Sequence, residues 1–163
     1  MKTRLILCVL FGLFVARPAH ADRDIVYSAR YYKLRETIRN TSAEHLYRIN
    51  PDGSGKMQIT RGRFVDEEPQ WSADGRYIYF YRRSTMQDWF HVPKMICRCN
   101  ADGSGIRTIY QPSSVNSWLA ALQLSADGKR IIFEERTDGG PGIGLIERHL
   151  LIDQDGKLIK KLV

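Results

Sequence analysis

The 163-residue sequence contains little that marks a catalytic centre. It has no Gly-x-Ser-x-Gly motif, so the nucleophile turn of a serine hydrolase domain is absent. No His-x-x-x-His pair and no His-Cys cluster occurs at the spacing of a metal site. His45 and His149 fall in or beside predicted strands and His91 in a predicted loop, so structural roles are expected for the first two. The sequence therefore predicts no catalytic residue, no metal site and no cofactor, and a protein that is not an enzyme.

Pairs of neighbouring carboxylates are weak candidates for a cation site. Glu67-Glu68 and Glu134-Glu135 could bind a cation, but adjacent strand residues point to opposite faces, so solvated charge is the favoured interpretation. Residues 153–156, Asp-Gln-Asp-Gly, are similar to the opening of a calcium loop. They lack the downstream glutamate and align with two other turns of the chain, which favours turn chemistry.

The first 21 residues have the pattern of a secretory signal peptide. Lys2 and Arg4 precede an uncharged run, Leu5 to Ala16, that is too short to span a bilayer comfortably. Ala19-His20-Ala21 supplies a small-x-small cleavage site. We expect cleavage after Ala21 and a periplasmic or secreted protein, with an uncleaved membrane anchor as the alternative.

The mature chain has a small net charge and few cysteines. Its 22 basic and 18 acidic residues are scattered, which argues against a nucleic-acid partner. Cys97 and Cys99 are its only cysteines and align with Tyr47 and Ile49, so two buried packing residues are favoured. A disulfide is the alternative, although a bridge between residues i and i+2 of a strand must distort the backbone.

Two stretches of the chain are close copies of each other. QWSADGRYIYF at 70–80 returns as QLSADGKRIIF at 123–133, an offset of 53 residues, and the same offset backwards reaches Ile25 and Tyr27. A second landmark, NPDGSG at 50–55, returns as NADGSG and then as DQDG. The sequence therefore contains three copies of one unit, the first without its opening, at about 22–62, 63–112 and 113–163.

Each unit is predicted to contain four short strands, a to d. In the middle unit these are about 69–72, 76–82, 94–100 and 106–110. Asp-Gly pairs separate a from b and c from d, a strong hairpin signal because glycine accepts positive φ. The predicted turn residues are Asp52, Gly53, Asp74, Gly75, Asp102, Gly103, Asp127, Gly128, Asp155 and Gly156.

Strand b of the middle unit is apolar or amphipathic on both faces. Ile78 and Phe80 point one way, and Tyr77, Tyr79 and Tyr81 point the other. A solvated sheet would show one polar face, whereas stacked blades need a sheet that is covered on both sides.

PQWSADGRYIYF, preceded by HLYRINPDGSGKMQIT, resembles the repeat of TolB-type β-propellers over nearly all of residues 24–163. Ala73 and Ala126 replace the usual proline of that repeat, and Leu122 and Leu124 replace proline and tryptophan. The resemblance implies an all-β fold, a propeller-type array of about three four-stranded antiparallel blades with the first blade incomplete. It also implies a periplasmic or extracellular platform for protein interaction.

Alternating strand directions would place the tight Asp-Gly turns at one end of every blade and the long connections at the other. Residue types that anchor interfaces gather in those connections. The predicted binding residues of this long-loop end are Arg61, Arg63, Phe64, Arg83, Trp89, Phe90, His91 and Trp118. We expect binding of an envelope or secreted protein, or of a glycan; packing of the aromatic residues under their own loops is the alternative.

Three blades are too few to close a propeller, which typically has about four to eight. The chain is therefore predicted to form an open arc or part of an oligomeric ring, exposing at its ends the tyrosine face or its equivalent. A homodimer of two arcs is one expectation; an open monomer, a larger partner and a truncated gene are the alternatives. A fragment or remnant of a larger propeller protein and a propeller-type metal-assisted lyase are the other functional hypotheses.

Overall fold

The computed structural model describes residues 23–31, 43–84, 94–112 and 114–162. All regular secondary structure in these ranges consists of β-strands, which confirms the all-β prediction. None of these residues forms a helix that could cross a membrane. The strands are β1 (Ile25–Tyr31), β2 (Ala43–Ile49), β3 (Met57–Gln58), β4 (Phe64–Trp71), β5 (Tyr77–Ser84), β6 (Met95–Asn100), β7 (Arg107–Tyr110), β8 (Ser117–Leu124), β9 (Arg130–Asp138), β10 (Leu145–Asp153) and β11 (Leu158–Leu162).

The strands form three blades, each an antiparallel meander. Blade 1 consists of β1 to β3, blade 2 of β4 to β7 and blade 3 of β8 to β11. A single parallel bridge between Glu44 and Val65 joins the sheet of blade 1 to that of blade 2. The predicted array of four-stranded blades with an incomplete first blade is therefore confirmed.

Strand a of blade 2 begins earlier than the sequence indicated. Phe64, which the sequence places in a connecting loop, lies in β4 together with Asp66 and Glu67. The strand contains a bulge between Glu67 and Gln70, and β8 has the same bulge between Ala120 and Gln123. A bulge interrupts the two-residue alternation of side chains, so the first half of the strand shows no recognisable strand pattern.

The core lies between the blades. One cluster of buried residues joins blades 1 and 2 and consists of Leu46, Ile59, Ile78, Phe80, Cys97 and Cys99. A second cluster joins blades 2 and 3 and consists of Tyr79, Tyr81, Ile96, Ile109, Leu119, Leu122, Ile131, Phe133, Leu150 and Ile152. The sheet of blade 2 is therefore covered on both faces, as its sequence predicted.

The face of blade 2 that carries Tyr77, Tyr79 and Tyr81, the tyrosine face, lies between two blades. Tyr79 and Tyr81 are fully buried and Tyr77 packs beside them, because blade 3 lies against this face. We expected either these tyrosines or their equivalent at an end of the arc, and the tyrosines themselves are internal. Their counterparts in blade 3, by the offset of the repeat, are Arg130, Ile132 and Glu134.

All five Asp-Gly turns are present. Their glycines have φ between 69° and 92°, and each donates its backbone N–H to the carbonyl three residues earlier. In four turns the aspartate accepts the N–H two residues on. Hydrogen bonds from the Ser72 hydroxyl and the Arg76 backbone lower the pKa of Asp74 to about 2. In the fifth turn the backbone N–H of Asp155 donates to the side chain of Asp153. The Asp155 carboxylate pairs with Arg107 of blade 2.

Two turn glycines also touch the preceding blade. A Cβ atom on Gly103 would overlap the backbone oxygen of Ile59, and one on Gly156 would overlap that of Ile109. Gly53 has the equivalent position in blade 1 and meets nothing within 4 Å. At both Gly103 and Gly156, glycine is therefore required for two reasons: the positive φ and the close approach of a neighbouring strand.

We predict that Gly103→Ala destabilises the fold more than Gly140→Ala does. Both glycines have nearly the same φ, 86° and 83°, so both substitutions cost about 1 to 2 kcal/mol of backbone strain. Only Gly103→Ala also forces blade 2 away from Ile59, which adds about 1 to 3 kcal/mol. Urea unfolding of the two variants measures the difference, and equal losses would show that the blades are not in close contact at this turn.

Candidate functional site

The structure describes five of the eight predicted binding residues. Trp89, Phe90 and His91 lie outside the described residues. Of the others, Arg61 and Arg63 are exposed in the connection from β3 to β4, and Trp118 is 40% exposed near the start of β8. The remaining two, Phe64 and Arg83, are partly buried at the same end of blade 2.

Phe64 covers a buried ion pair. Asp66 is fully buried and accepts two hydrogen bonds from the guanidinium of Arg82, at 2.6 and 2.9 Å. The Arg82 guanidinium lies 4.4 Å from the ring centre of Phe64 and 5.4 Å from that of Phe80. This cluster holds the paired ends of β4 and β5 in one geometry, so the long-loop end of blade 2 has a rigid base.

The carboxylate pairs are more buried than the sequence indicated. Lys94 lies 2.6 Å from Glu67 and 3.7 Å from Glu68, and Arg83 lies 3.9 Å from Glu67. Glu134 and Glu135 are both buried; Arg136 pairs with the first and the Tyr110 hydroxyl donates to the second. The interpretation as solvated charge is wrong except for Glu68, because basic or hydroxyl side chains lie against the other three carboxylates.

Blade 3 exposes a group of large apolar side chains at its long-loop end. They are Val115 at 69% exposed, Trp118 at 40%, Ile143 at 69% and Leu145 at 49%. We call these four residues the apolar end patch.

Strand pairing places these residues at the same end of blade 3, since Val115 precedes β8 and Ile143 precedes β10. The Asp138 backbone donates to Asn116, beside Val115, and Asp138 also pairs with Leu145. Because neighbouring strands lie about 4.8 Å apart, the patch extends across β8, β9 and β10 over roughly 10 Å. Of its members the sequence identified only Trp118, because an isolated valine, isoleucine or leucine near a loop resembles an ordinary core residue.

A different surface lies at the tight-turn end. A cleft of about 390 Å³ opens there, between blades 2 and 3. It is lined by Ser72, Asp74, Arg76, Tyr77, Asp127, Gly128, Lys129, Asp153, Gln154 and Asp155. Arg98 crosses the blade boundary beside it, donating to the Gln154 carbonyl at 3.1 Å, and lies over the Tyr77 ring at 4.0 Å. Asp155 also pairs with Arg98 and Arg107 across the blade boundary, so this end stabilises the contact between blades.

Cys97 and Cys99 are packing residues, as the sequence favoured. Both are free thiols on β6 and are 1% exposed in the core between blades 1 and 2. Burial raises the pKa of Cys97, and it raises that of Cys99 to about 12. Neither side chain has the low pKa and exposure of a reactive cysteine.

No metal centre is visible in the part of the chain that the structure describes, where no group of three or more His, Cys, Asp or Glu side chains could hold an ion. His45 lies in β2 and His149 in β10, the strands c that the sequence indicated. His45 is half-buried and His149 is exposed.

We predict that Asp66→Ala destabilises the protein by about 3 kcal/mol or more, because Arg82 then keeps a buried charge without its partner. The double variant Asp66→Leu, Arg82→Met should lose much less, since blade 3 already has Leu119 at the equivalent position. Urea unfolding of both variants provides the measurement. A double variant as unstable as Asp66→Ala would show that the pair is needed for more than charge balance.

Comparison with solved structures identifies the fold. Over 83% of its length the chain matches 46% of a structure described as TolB from Agrobacterium tumefaciens, with a TM-score of 0.55 and 23% identity. It also matches 23% of an acylaminoacyl peptidase, over 84% of its own length, with a TM-score of 0.61 and 13% identity. An oligogalacturonate lyase in complex with manganese gives 0.56 and 12% identity, over 75% of this chain and 31% of that one. No protein-family model and no curated protein sequence matches the chain.

The chain therefore has the fold of a β-propeller of the TolB type, which confirms the resemblance seen in its repeats. It spans less than half the length of each of these three structures. At these identities the likeness establishes the arrangement of blades and carries no activity over to this chain.

Proposed function

We propose that this chain is a non-catalytic binding module of the periplasm or the extracellular space, and that it engages a protein through the long-loop end of blade 3. The observation that carries the proposal is the apolar end patch. Four large apolar side chains, 40% to 69% exposed, lie at the long-loop end of blade 3, near the starts of β8 and β10 and in the connections before them.

The surroundings of the patch favour a protein as its ligand. Arg136 pairs with both Glu134 and Glu147, on β9 and β10 beside Trp118 and Leu145. An apolar centre with a polar rim is the usual anatomy of a protein interface, and an exposed tryptophan is a frequent energetic anchor. A glycan would more often require several aligned polar groups beside the aromatic ring, so a glycan is the alternative outcome of the test.

The position of the patch suits binding as well. The strands that present it are packed on blade 2 through Leu119, Phe133 and Leu150, which are 0% to 3% exposed. A surface on a rigid sheet loses little conformational entropy when a ligand binds. The long-loop end can therefore bind without rearrangement of the blades.

Site-specific photo-crosslinking tests this proposal. A photoreactive amino acid at position 143 should form a covalent adduct with another protein when the chain is expressed with its natural leader in its host. Val115→Ser combined with Trp118→Ser should reduce the adduct at least about tenfold, because the apolar anchors are lost.

The matched control places the same photoreactive residue at position 159, where Ile159 of β11 is 50% exposed outside the patch. Position 159 should give no such adduct. The proposal is contradicted by equal crosslinking at both positions, by an adduct that survives the double substitution, or by an adduct that contains only a second copy of this chain.

Cleavage of the signal peptide tests the proposed export. The chain recovered outside the cytoplasm should begin at Asp22, because the small residues Ala19 and Ala21 define the cleavage site. Ala21→Phe should leave the precursor uncut. N-terminal sequencing provides the measurement, and recovery of the full-length chain in the cytoplasm would contradict the proposed location.

A further inference from the structure

The outer strand of a blade stays exposed even where a blade packs on each face of its sheet. β7 is the last strand of blade 2, whose sheet is covered by blade 1 on one face and by blade 3 on the other. Thr108 of β7 is nevertheless exposed, and Ile106 just before the strand is 39% exposed. Their counterparts by the offset of the repeat are Lys161 and Ile159 of β11. Exposure at these two positions therefore belongs to the outer strand itself and does not depend on what lies beside blade 3.

β11 and the residue before it combine positive charge with apolar area. Lys157 and Lys161 are exposed, and Leu158 and Ile159 between them are 46% and 50% exposed. The segment 157–162 contains no acidic residue. We call these four residues the basic edge. A partner that carries negative charges above an apolar layer matches this combination of side chains.

Lys160 is not counted in the basic edge, although it is exposed too. Its counterpart in blade 2 is Arg107, which pairs with Asp155 of the following blade. The hydroxyl of Thr108, the counterpart of Lys161, contacts sulfur atoms of its own blade. Position 160 is therefore one that a following blade reaches in blade 2, whereas position 161 faces outward.

The shape of β11 disfavours a peptide strand as the partner. Lys160 pairs with Leu151 and Leu158 pairs with Ile152, so Ile159 is an extra residue in a bulge. Bulges and lysines on an edge strand are features by which proteins prevent the addition of another strand. A lipid surface requires no backbone pairing, because it contacts the side chains alone.

We propose that the basic edge binds the surface of an anionic lipid bilayer. Lys157 and Lys161 lie at the level of the lipid phosphates, and Leu158 and Ile159 enter the boundary between head groups and acyl chains. Long lysine side chains extend past the strand, so a surface that approaches the edge of the sheet meets both charges. The contact lies outside the apolar end patch, so the chain can bind a lipid surface and a protein at the same time.

Co-sedimentation of the purified mature chain with lipid vesicles tests the charges. Vesicles that contain phosphatidylglycerol should bind the chain at least about tenfold more tightly than vesicles of phosphatidylcholine alone. Lys157→Gln combined with Lys161→Gln should remove about tenfold of this affinity, since two charges leave the contact. Equal binding to both kinds of vesicle, or binding that the double substitution leaves unchanged, would overturn the proposal.

A matched control removes two positive charges elsewhere on blade 3. Lys129→Gln combined with Arg130→Gln changes the net charge by the same amount, and both residues are exposed. They lie at the start of β9, which β10 separates from β11, so they are roughly 10 Å from the basic edge. Salt screens charges over about this distance, so the control should keep its affinity within about twofold. Equal losses in the two double variants would show an effect of net charge and contradict the site.

The apolar part of the contact distinguishes a lipid surface from a soluble polyanion. Leu158→Ser combined with Ile159→Ser should weaken binding to the anionic vesicles at least about tenfold, because less apolar area is then removed from water. The urea midpoints of these variants should match that of the wild type, since all the substituted side chains are exposed. Vesicle binding that survives this substitution, or that heparin abolishes as fully in the wild type as in the serine variant, would overturn the lipid surface as the partner.

Photo-crosslinking separates this inference from the proposed protein site. With anionic vesicles and the purified chain, a photoreactive amino acid at position 159 should form an adduct with the mass of one phospholipid, and position 143 should form none. A lipid adduct at position 143 alone, or at neither position, would contradict the basic edge. Neither result would affect the protein adduct expected at position 143, so the two proposals can fail separately.

Discussion

The structure depends on the close face-to-face packing of consecutive blades. At each internal contact apolar side chains of two sheets meet, and a turn glycine of one blade lies against a strand carbonyl of the blade before it. No single blade could bury its faces alone, since a short antiparallel sheet has two sides and no other element of the described chain covers them. Stability and the arrangement of the loops both follow from this contact.

The two ends of the blades have different roles. The tight-turn end carries most of the polar links that cross from one blade to the next, among them Arg48 to Ala101 and Arg98 to Gln154. The long-loop end is braced within blade 2 by the buried pair of Asp66 and Arg82 and carries the apolar end patch on blade 3. One end can therefore present a binding surface while the other keeps the blades in register.

The repeats made most of the fold predictable, and far less of the candidate site. Asp-Gly turns and the alternation in strand b are local signals, so their positions were read correctly from the sequence. The apolar end patch is not local: Val115 precedes β8 and Ile143 precedes β10, and strand pairing places the two connections at the same end of blade 3. Burial of Glu134 and Glu135 was missed for a related reason, since the sequence does not show that Arg136 and Tyr110 lie against these carboxylates.

The amino-acid sequence alone determined the blade unit: its strands, its turns and the need for two covered faces, because these depend on alternation and on backbone angles a few residues apart. Tertiary structure decided which face meets which neighbour. The tyrosine face of blade 2 is internal because blade 3 packs on it. Ile25 on blade 1 is exposed, although it aligns in the repeat with Ile78, which is buried. Identical local patterns acquire different environments, since burial depends on the next element in space rather than on the next residue in the chain.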